Sequence, residues 1–140
     1  MADEKRTQEK YVEYQVLQQT IAQLYQKKGV VQKQIVEFTD LRDNLSNLQK
    51  SKIGSQMYSA VGAGVFVKAE LKENDNVLVN VGSDVVIERS VDDSKKLVDN
   101  QIKELNGILK ELDKNIEGSI ERGNILNKEL SETQAKEHKH

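Results

Sequence analysis

Apolar residues step along the early part of this chain by threes and fours. Tyr14, Leu17, Ile21, Leu24, Val31, Ile35, Phe38 and Leu45 make a ladder that only Lys28 and Arg42 interrupt. A second ladder runs Val98, Ile102, Leu105, Leu109, Leu112 and Ile116, then resumes at Leu126 and Leu130, with Ser119 and Gly123 at the missing rungs. Such spacing keeps side chains on one narrow stripe of an α-helix. Each ladder spans more than four heptads, long enough to predict a coiled-coil seam.

Boundary residues agree with that reading. Lys50 and Lys52 followed by Gly54 suit a helix end, where cations meet the carboxyl-end dipole and glycine can turn the chain. Ser90, Asp92 and Asp93 suit a helix start, with Ser90 as cap and acids in the first turn. The pattern predicts helices over about 5–50 and 91–133 and a polar tail over 134–140. At roughly 1.5 Å per residue, each helix would be on the order of 60 Å long. Folded back antiparallel, Leu45 faces Val98, Phe38 faces Leu105, Val31 faces Leu112, Leu24 faces Ser119, Leu17 faces Leu126 and Tyr14 faces Leu130. A shift by seven also aligns the ladders. This register rests on the two ladders ending together and on small residues facing large ones.

Between the helices the period changes. Val61-Gly62-Ala63-Gly64-Val65-Phe66-Val67-Lys68 is followed twenty residues later by Val81-Gly82-Ser83-Asp84-Val85-Val86-Ile87-Glu88. Each copy sets turn-forming residues after Val-Gly, ahead of a β-branched or aromatic run, and so reads as strand, tight turn, strand. Two hairpins are predicted within 55–90. A lone hairpin is marginal in water, and its outer edges carry unpaired backbone groups. This segment is therefore predicted to pair with other subunits.

Gly29, Gly107, Gly118 and Gly123 fall inside the predicted helices, each costing roughly 1 kcal/mol relative to alanine. Asn106-Gly107 is a hairpin signal in isolation, but Leu105, Ile108, Leu109 and Leu112 carry the helical period through it. Off the seam, Tyr11, Val12, Val16, Ile120 and Ile125 remain apolar near the open end of the coil. Single exposed apolar residues are ordinary; gathered at one end, they predict a surface that a partner or client covers.

Composition narrows the class. The chain has 140 residues, one domain by length, of which 36% are hydrophobic, 4% aromatic and 31% charged. That is thin for a bulky core and suits solvent-laced helices. There is no proline to break them and no cysteine for a disulfide, thiolate metal site or nucleophile. The net charge of −2 supplies no general attraction to phosphate backbones, so no nucleic-acid partner is expected. No run of eighteen apolar residues occurs and Met1–Arg6 leads into no apolar core, so no membrane partner is expected. A soluble cytoplasmic protein is the expectation.

Candidate chemistry is sparse. Gly62-Ala63-Gly64 lacks the Lys-Ser/Thr of a phosphate loop and opens a strand rather than a helix. His138 and His140 sit in the polar tail with nothing to complete a metal site. Glu111, Asp113 and Glu117 belong to a solvated helix face. Lys27, Lys28 and Lys33 read as a solvated basic spot, the Lys28 stem covering the Gly29 gap while its charge reaches water. No catalytic residue, metal or cofactor is assigned.

The order helix, two hairpins, helix, with Val61–Leu71 and Val77–Ser90 as quoted strands and turns, resembles the α class of the prefoldin family in its archaeal form. The likeness covers nearly the whole chain from Tyr14 onward, and its specificity lies in the duplicated hairpin, since the β class carries one. In relatives a Leu-Val-Pro usually precedes the first turn where this chain has Tyr58-Ser59-Ala60. The resemblance implies an α+β fold: a long antiparallel two-helix coiled coil with two β-hairpins between the helices. The hairpins would join an intersubunit β-barrel in a heterohexamer of two α and four β subunits. It further implies an ATP-independent holdase that captures unfolded proteins at its coil tips and passes them to a group II chaperonin. On that reading Val61, Val65, Phe66, Val67, Val77, Val79, Val81, Val85, Val86 and Ile87 serve assembly, and Tyr11, Tyr14, Leu17, Ile120, Ile125, Leu126 and Leu130 meet the client. The alternative is a coiled-coil tether that assembles through the same hairpins but binds one fixed partner.

Overall fold

In a computed structural model, secondary structure is described for residues 2–138 and side chains as far as Gln134. Helix α1 spans Ala2–Lys50 and helix α2 spans Val91–His138. Between them lie β1 (Gln56–Gly62), β2 (Val65–Glu70), β3 (Asn76–Asn80) and β4 (Val86–Ser90). The predicted fold class holds: two long helices pack together, with two antiparallel hairpins between them. Both helices run unbroken through Gly29, Gly107, Gly118 and Gly123, so the Asn106-Gly107 signal yields to the helical period around it. Helix α2 continues past residue 133, because Glu132, Gln134, Ala135 and Lys136 are all good helix formers. The expected exposure of His138 and His140 concerns side chains outside the described residues.

The chain divides into two compact units. The terminal unit comprises Met1–Gln34 and Leu105–His140, and the hairpin unit comprises Ile35–Glu104. In the terminal unit the α2 rungs Leu105, Leu112, Ile116, Leu126 and Leu130 are buried, as is Val31 of α1. Tyr14, Leu17, Ile21, Leu24 and Lys28 of α1 are half-buried. Val31 borders one groove with Leu112, and Leu24 borders another with Ser119, the facing pairs expected from the ladders.

In the hairpin unit the core is Leu45, Val91 and Val98, with Phe38, Leu48, Val77 and Ile102 packed around it. Its helix ends are capped as their residues dictate. The Asp93 amide donates to Ser90 Oγ at 3.0 Å, satisfying one of the orphan donors of the α2 start. The buried Ser94 hydroxyl donates to the Ser90 carbonyl at 2.9 Å. After α1, Gly54 takes φ +86° and donates to the Leu71 carbonyl at 2.7 Å, while the Leu71 amide donates to Ser55 at 3.0 Å. These bonds close the base of the first hairpin.

Each hairpin is a separate two-stranded sheet. The first pairs Met57 with Ala69, Ser59 with Val67 and Ala60 with Phe66, slipping at a bulge between Ala60 and Gly62. The second pairs Val77 with Arg89, Leu78 with Glu88 and Val79 with Ile87. The sequence repeat is also a backbone repeat, since Gly62, Ala63 and Gly64 all have positive φ and so do Gly82, Ser83 and Asp84. Glycine is suited to that region and Ala63 is not, so the first turn carries a strained residue between two permissive ones.

Candidate assembly and client-binding surfaces

Antiparallel pairing places directly opposed residues on one face of a hairpin. In the first hairpin, Met57, Ser59, Val67 and Ala69 share a face, and Tyr58, Ala60, Phe66 and Lys68 share the other. Every residue of β1 is exposed, and every residue of β2 except the half-buried Ala69. Tyr58 is 69% exposed, Val61 62% and Phe66 59%. This hairpin shows apolar side chains on both faces and, among the described residues, has no sheet neighbour on either edge.

The second hairpin is different. Val77, Val79, Ile87 and Arg89, which share a face by register, are all half-buried. Val77 packs on Leu45, Val91 and Val98. Val77 and Val79 also border an apolar groove with Phe38, Leu41, Leu97 and Gln101. The opposite face turns outward with Leu78, Val86 and Glu88, and Leu78 is 74% exposed. Of the predicted assembly residues, Val61, Val65, Phe66, Val67, Val81, Val85 and Val86 are exposed, whereas Val77, Val79 and Ile87 are half-covered. Exposed Leu78, Met57 and Tyr58 were missed. The signal for Leu78 was simple alternation: it stands between two valines that point the other way.

The predicted client residues likewise separate. In the terminal unit Tyr11, Ile120 and Ile125 are exposed, beside Val12 and Val16 on α1. Tyr14 and Leu17 are half-buried, while Leu126 and Leu130 are buried in the seam. The tyrosine hydroxyls are satisfied: Gln134 Nε2 donates to Tyr11 at 2.7 Å and Gln18 Nε2 donates to Tyr14 at 2.9 Å. Leu126 and Leu130 reach a client only if the seam opens.

Ion pairs flank the seam. Within the terminal unit Lys10 meets Glu129 at 3.0 Å, Arg122 meets Glu13 at 3.0 Å and Lys28 meets Asp113 at 2.8 Å. The Arg122–Glu13 contact is two-pronged, with a second bond from Nη2 to Oε2 at 3.3 Å. Within the hairpin unit Arg42 pairs with Asp99. The two cations that interrupt the first ladder are thus each matched by an α2 carboxylate. Two heptads up α1 from Lys28 stands Arg42, and two heptads down α2 from Asp113 stands Asp99. The hydrogen bond to Asp113, reinforced by its charge, holds the Lys28 pKa above its ordinary value, and Glu13 does the same for Arg122. The Lys28 ammonium, at a half-exposed position, also has a carboxylate partner in Asp113.

Among the described residues no group of three or more His, Asp or Glu is placed to hold a metal ion. No described helix is long and apolar enough to cross a membrane.

A family model described as prefoldin subunit matches residues 17–136. The chain is 32% identical over 131 residues to the prefoldin subunit alpha of Pyrococcus horikoshii, covering 87% of this chain and 88% of the relative. It is 26% identical over 137 residues to the prefoldin subunit alpha of Archaeoglobus fulgidus, covering 98% of this chain and 100% of that one. Among solved structures it resembles a filamentous PFD from Methanocaldococcus jannaschii, with a TM-score of 0.72 at 21% identity, covering 82% of this chain and 95% of that chain. At that identity the likeness speaks for the fold.

Proposed function

Because this chain belongs to the prefoldin family, a family of chaperones rather than enzymes, we propose that it is the α-class subunit of a cytoplasmic, ATP-independent holdase. Two such subunits would join four β subunits through their hairpins. The particle would hold unfolded proteins at the coil ends and hand them to a group II chaperonin. The observation that carries the reading is the bare first hairpin. Its apolar residues face water on both sides and, among the described residues, its edges lack a strand partner. An isolated two-stranded sheet in that state gains stability only by joining others.

Client capture would fall to Tyr11, Ile120 and Ile125, with Val12 and Val16 extending the surface. Tyr14 and Leu17 would contribute their exposed portions. Contact at each coil would be weak and multiplied by several coils acting on one client.

The test mixes the chain with a one-hairpin β subunit and a denatured protein, without nucleotide. Suppressed aggregation is the expected result; an assembled complex that gives no protection refutes the holdase. Crosslinking from residues 11–17 to a panel of unrelated denatured proteins separates it from a tether, which would capture one fixed partner only.

A further inference from the structure

Within the terminal unit no turn joins the α1 segment to the α2 segment. Their register is held by the side chains between them and by the hairpin unit, into which both helices run unbroken. The apolar seam is a poor judge of register, because a heptad repeat realigns after any shift by seven. With the α2 segment moved one heptad, Leu24 faces Leu126 or Leu112 instead of Ser119, and Ile21 faces Leu130 or Ile116 instead of Gly123. Both shifted seams still set apolar residues against apolar residues.

The flanking charges judge differently. The native pairs are Lys10–Glu129, Glu13–Arg122 and Lys28–Asp113. One heptad of slip in one direction sets Glu13 against Glu129 and leaves Lys28 opposite Ile120. Slip in the other direction sets Lys10 against Arg122, Glu13 against Asn115 and Lys28 against Asn106. The first slip turns the Glu13 attraction into a repulsion and loses that of Lys28. The second turns one attraction into a repulsion and loses the other two. An exposed ion pair contributes little by itself. A register, however, is chosen by differences, and here the native pairs count against both alternatives.

We propose that the Lys10–Glu129, Glu13–Arg122 and Lys28–Asp113 pairs act together as the register lock of the terminal unit. They exclude the one-heptad slips that its apolar seam would accept. Lys28 serves twice, since it also interrupts the apolar stripe at a seam position, a placement by which one polar group specifies pairing in coiled coils.

The chain has no cysteine, so engineered pairs report register without background. In the full chain, Leu24→Cys with Ser119→Cys reports the native register. Leu24→Cys with Leu126→Cys, and Leu24→Cys with Leu112→Cys, report the two slips. Oxidation yield in the monomer band of a denaturing gel is the readout, with circular dichroism confirming helicity. In the otherwise natural chain the native reporter should exceed each slip reporter at least five-fold. The triple reversal Lys10→Glu, Glu13→Lys, Lys28→Glu makes all three native contacts repulsive. It creates an attraction with Glu129 in the first slip. The native yield should then fall several-fold and a slip yield should rise. Adding Glu129→Lys, Arg122→Glu and Asp113→Lys should restore the native yield.

An unchanged native yield in the triple variant overturns the proposal. So does a sixfold variant that does not recover it, including one that loses helicity along with the triple. Loss of helicity in the triple alone, restored in the sixfold variant, supports the lock.

Discussion

The two hairpins are near-copies in sequence, turn conformation and strand pairing, yet they live in different surroundings. The first is bare on both faces. The second rests Val77 and Val79 against the helices beside it and turns Leu78 and Val86 outward. Local sequence therefore decides that a hairpin forms and where it turns, while the elements beside it decide which face remains for a partner. Duplication yields two unequal tools: one hairpin committed on one face, the other open on both.

Aspartate substitution tests the contrast most strongly. Val77→Asp puts a carboxylate against Leu45, Val91 and Val98 and should destabilise the chain by roughly 2–3 kcal/mol, seen as a lowered thermal midpoint by circular dichroism. Val67→Asp on the exposed hairpin should change stability by no more than about 0.5 kcal/mol and act instead on assembly, read by native mass spectrometry with a β subunit. Equal losses of stability in the two variants would erase the distinction.

A smaller effect separates the turns. The Gly82 amide donates to Asn80 Oδ1 at 2.9 Å, whereas the corresponding position of the first hairpin is Ala60 and offers no such acceptor. Asn80→Ala should cost about 1 kcal/mol, and faster amide hydrogen exchange should be confined to the second hairpin. Spread of that change into residues 56–70 would mean that the two sheets open together. Smaller again is relief of backbone strain. Ala63→Gly should gain about 0.5 kcal/mol, the removed strain being partly offset by added freedom in the unfolded chain, and should sharpen protection in the first hairpin only.

The smallest effect expected is with alkaline pH, and it belongs to neither hairpin. The folded-state pKa of Lys28 is raised above its ordinary 10.5. Its contribution is therefore complete below that value and is lost only as pH rises through the higher folded-state value. Helicity should stay flat from pH 7 to about 9. A transition inside that window would point to a group other than Lys28.

The seam was legible rung by rung, including its polar members. Lys28, Arg42 and Ser119 are half-buried and Gly123 is buried, as their places on the ladders require. Period alone suffices for that, because a stripe is a property of one helix. The turns were legible because few residues tolerate three successive positive φ values, and the repeat displays such a set twice. What escaped depends on a second element. The covering of Val77 requires knowing which helix face lies beside the hairpin, and the partner of Lys28 requires the register that its own pair helps to decide. The extra length of α2 escaped because polar composition was read as a tail, although those residues favour a helix.

Ser90 is at once the last residue of β4 and the cap of α2, so no residue separates strand from helix. At the other side, residues 51–55 intervene between α1 and β1. That five-residue connection is tied to the first hairpin by its own bonds, the Gly54 amide donating to the Leu71 carbonyl and the Leu71 amide to the Ser55 carbonyl. A change in the direction of β4 must redirect the first turn of α2, because no intervening backbone can take up the difference.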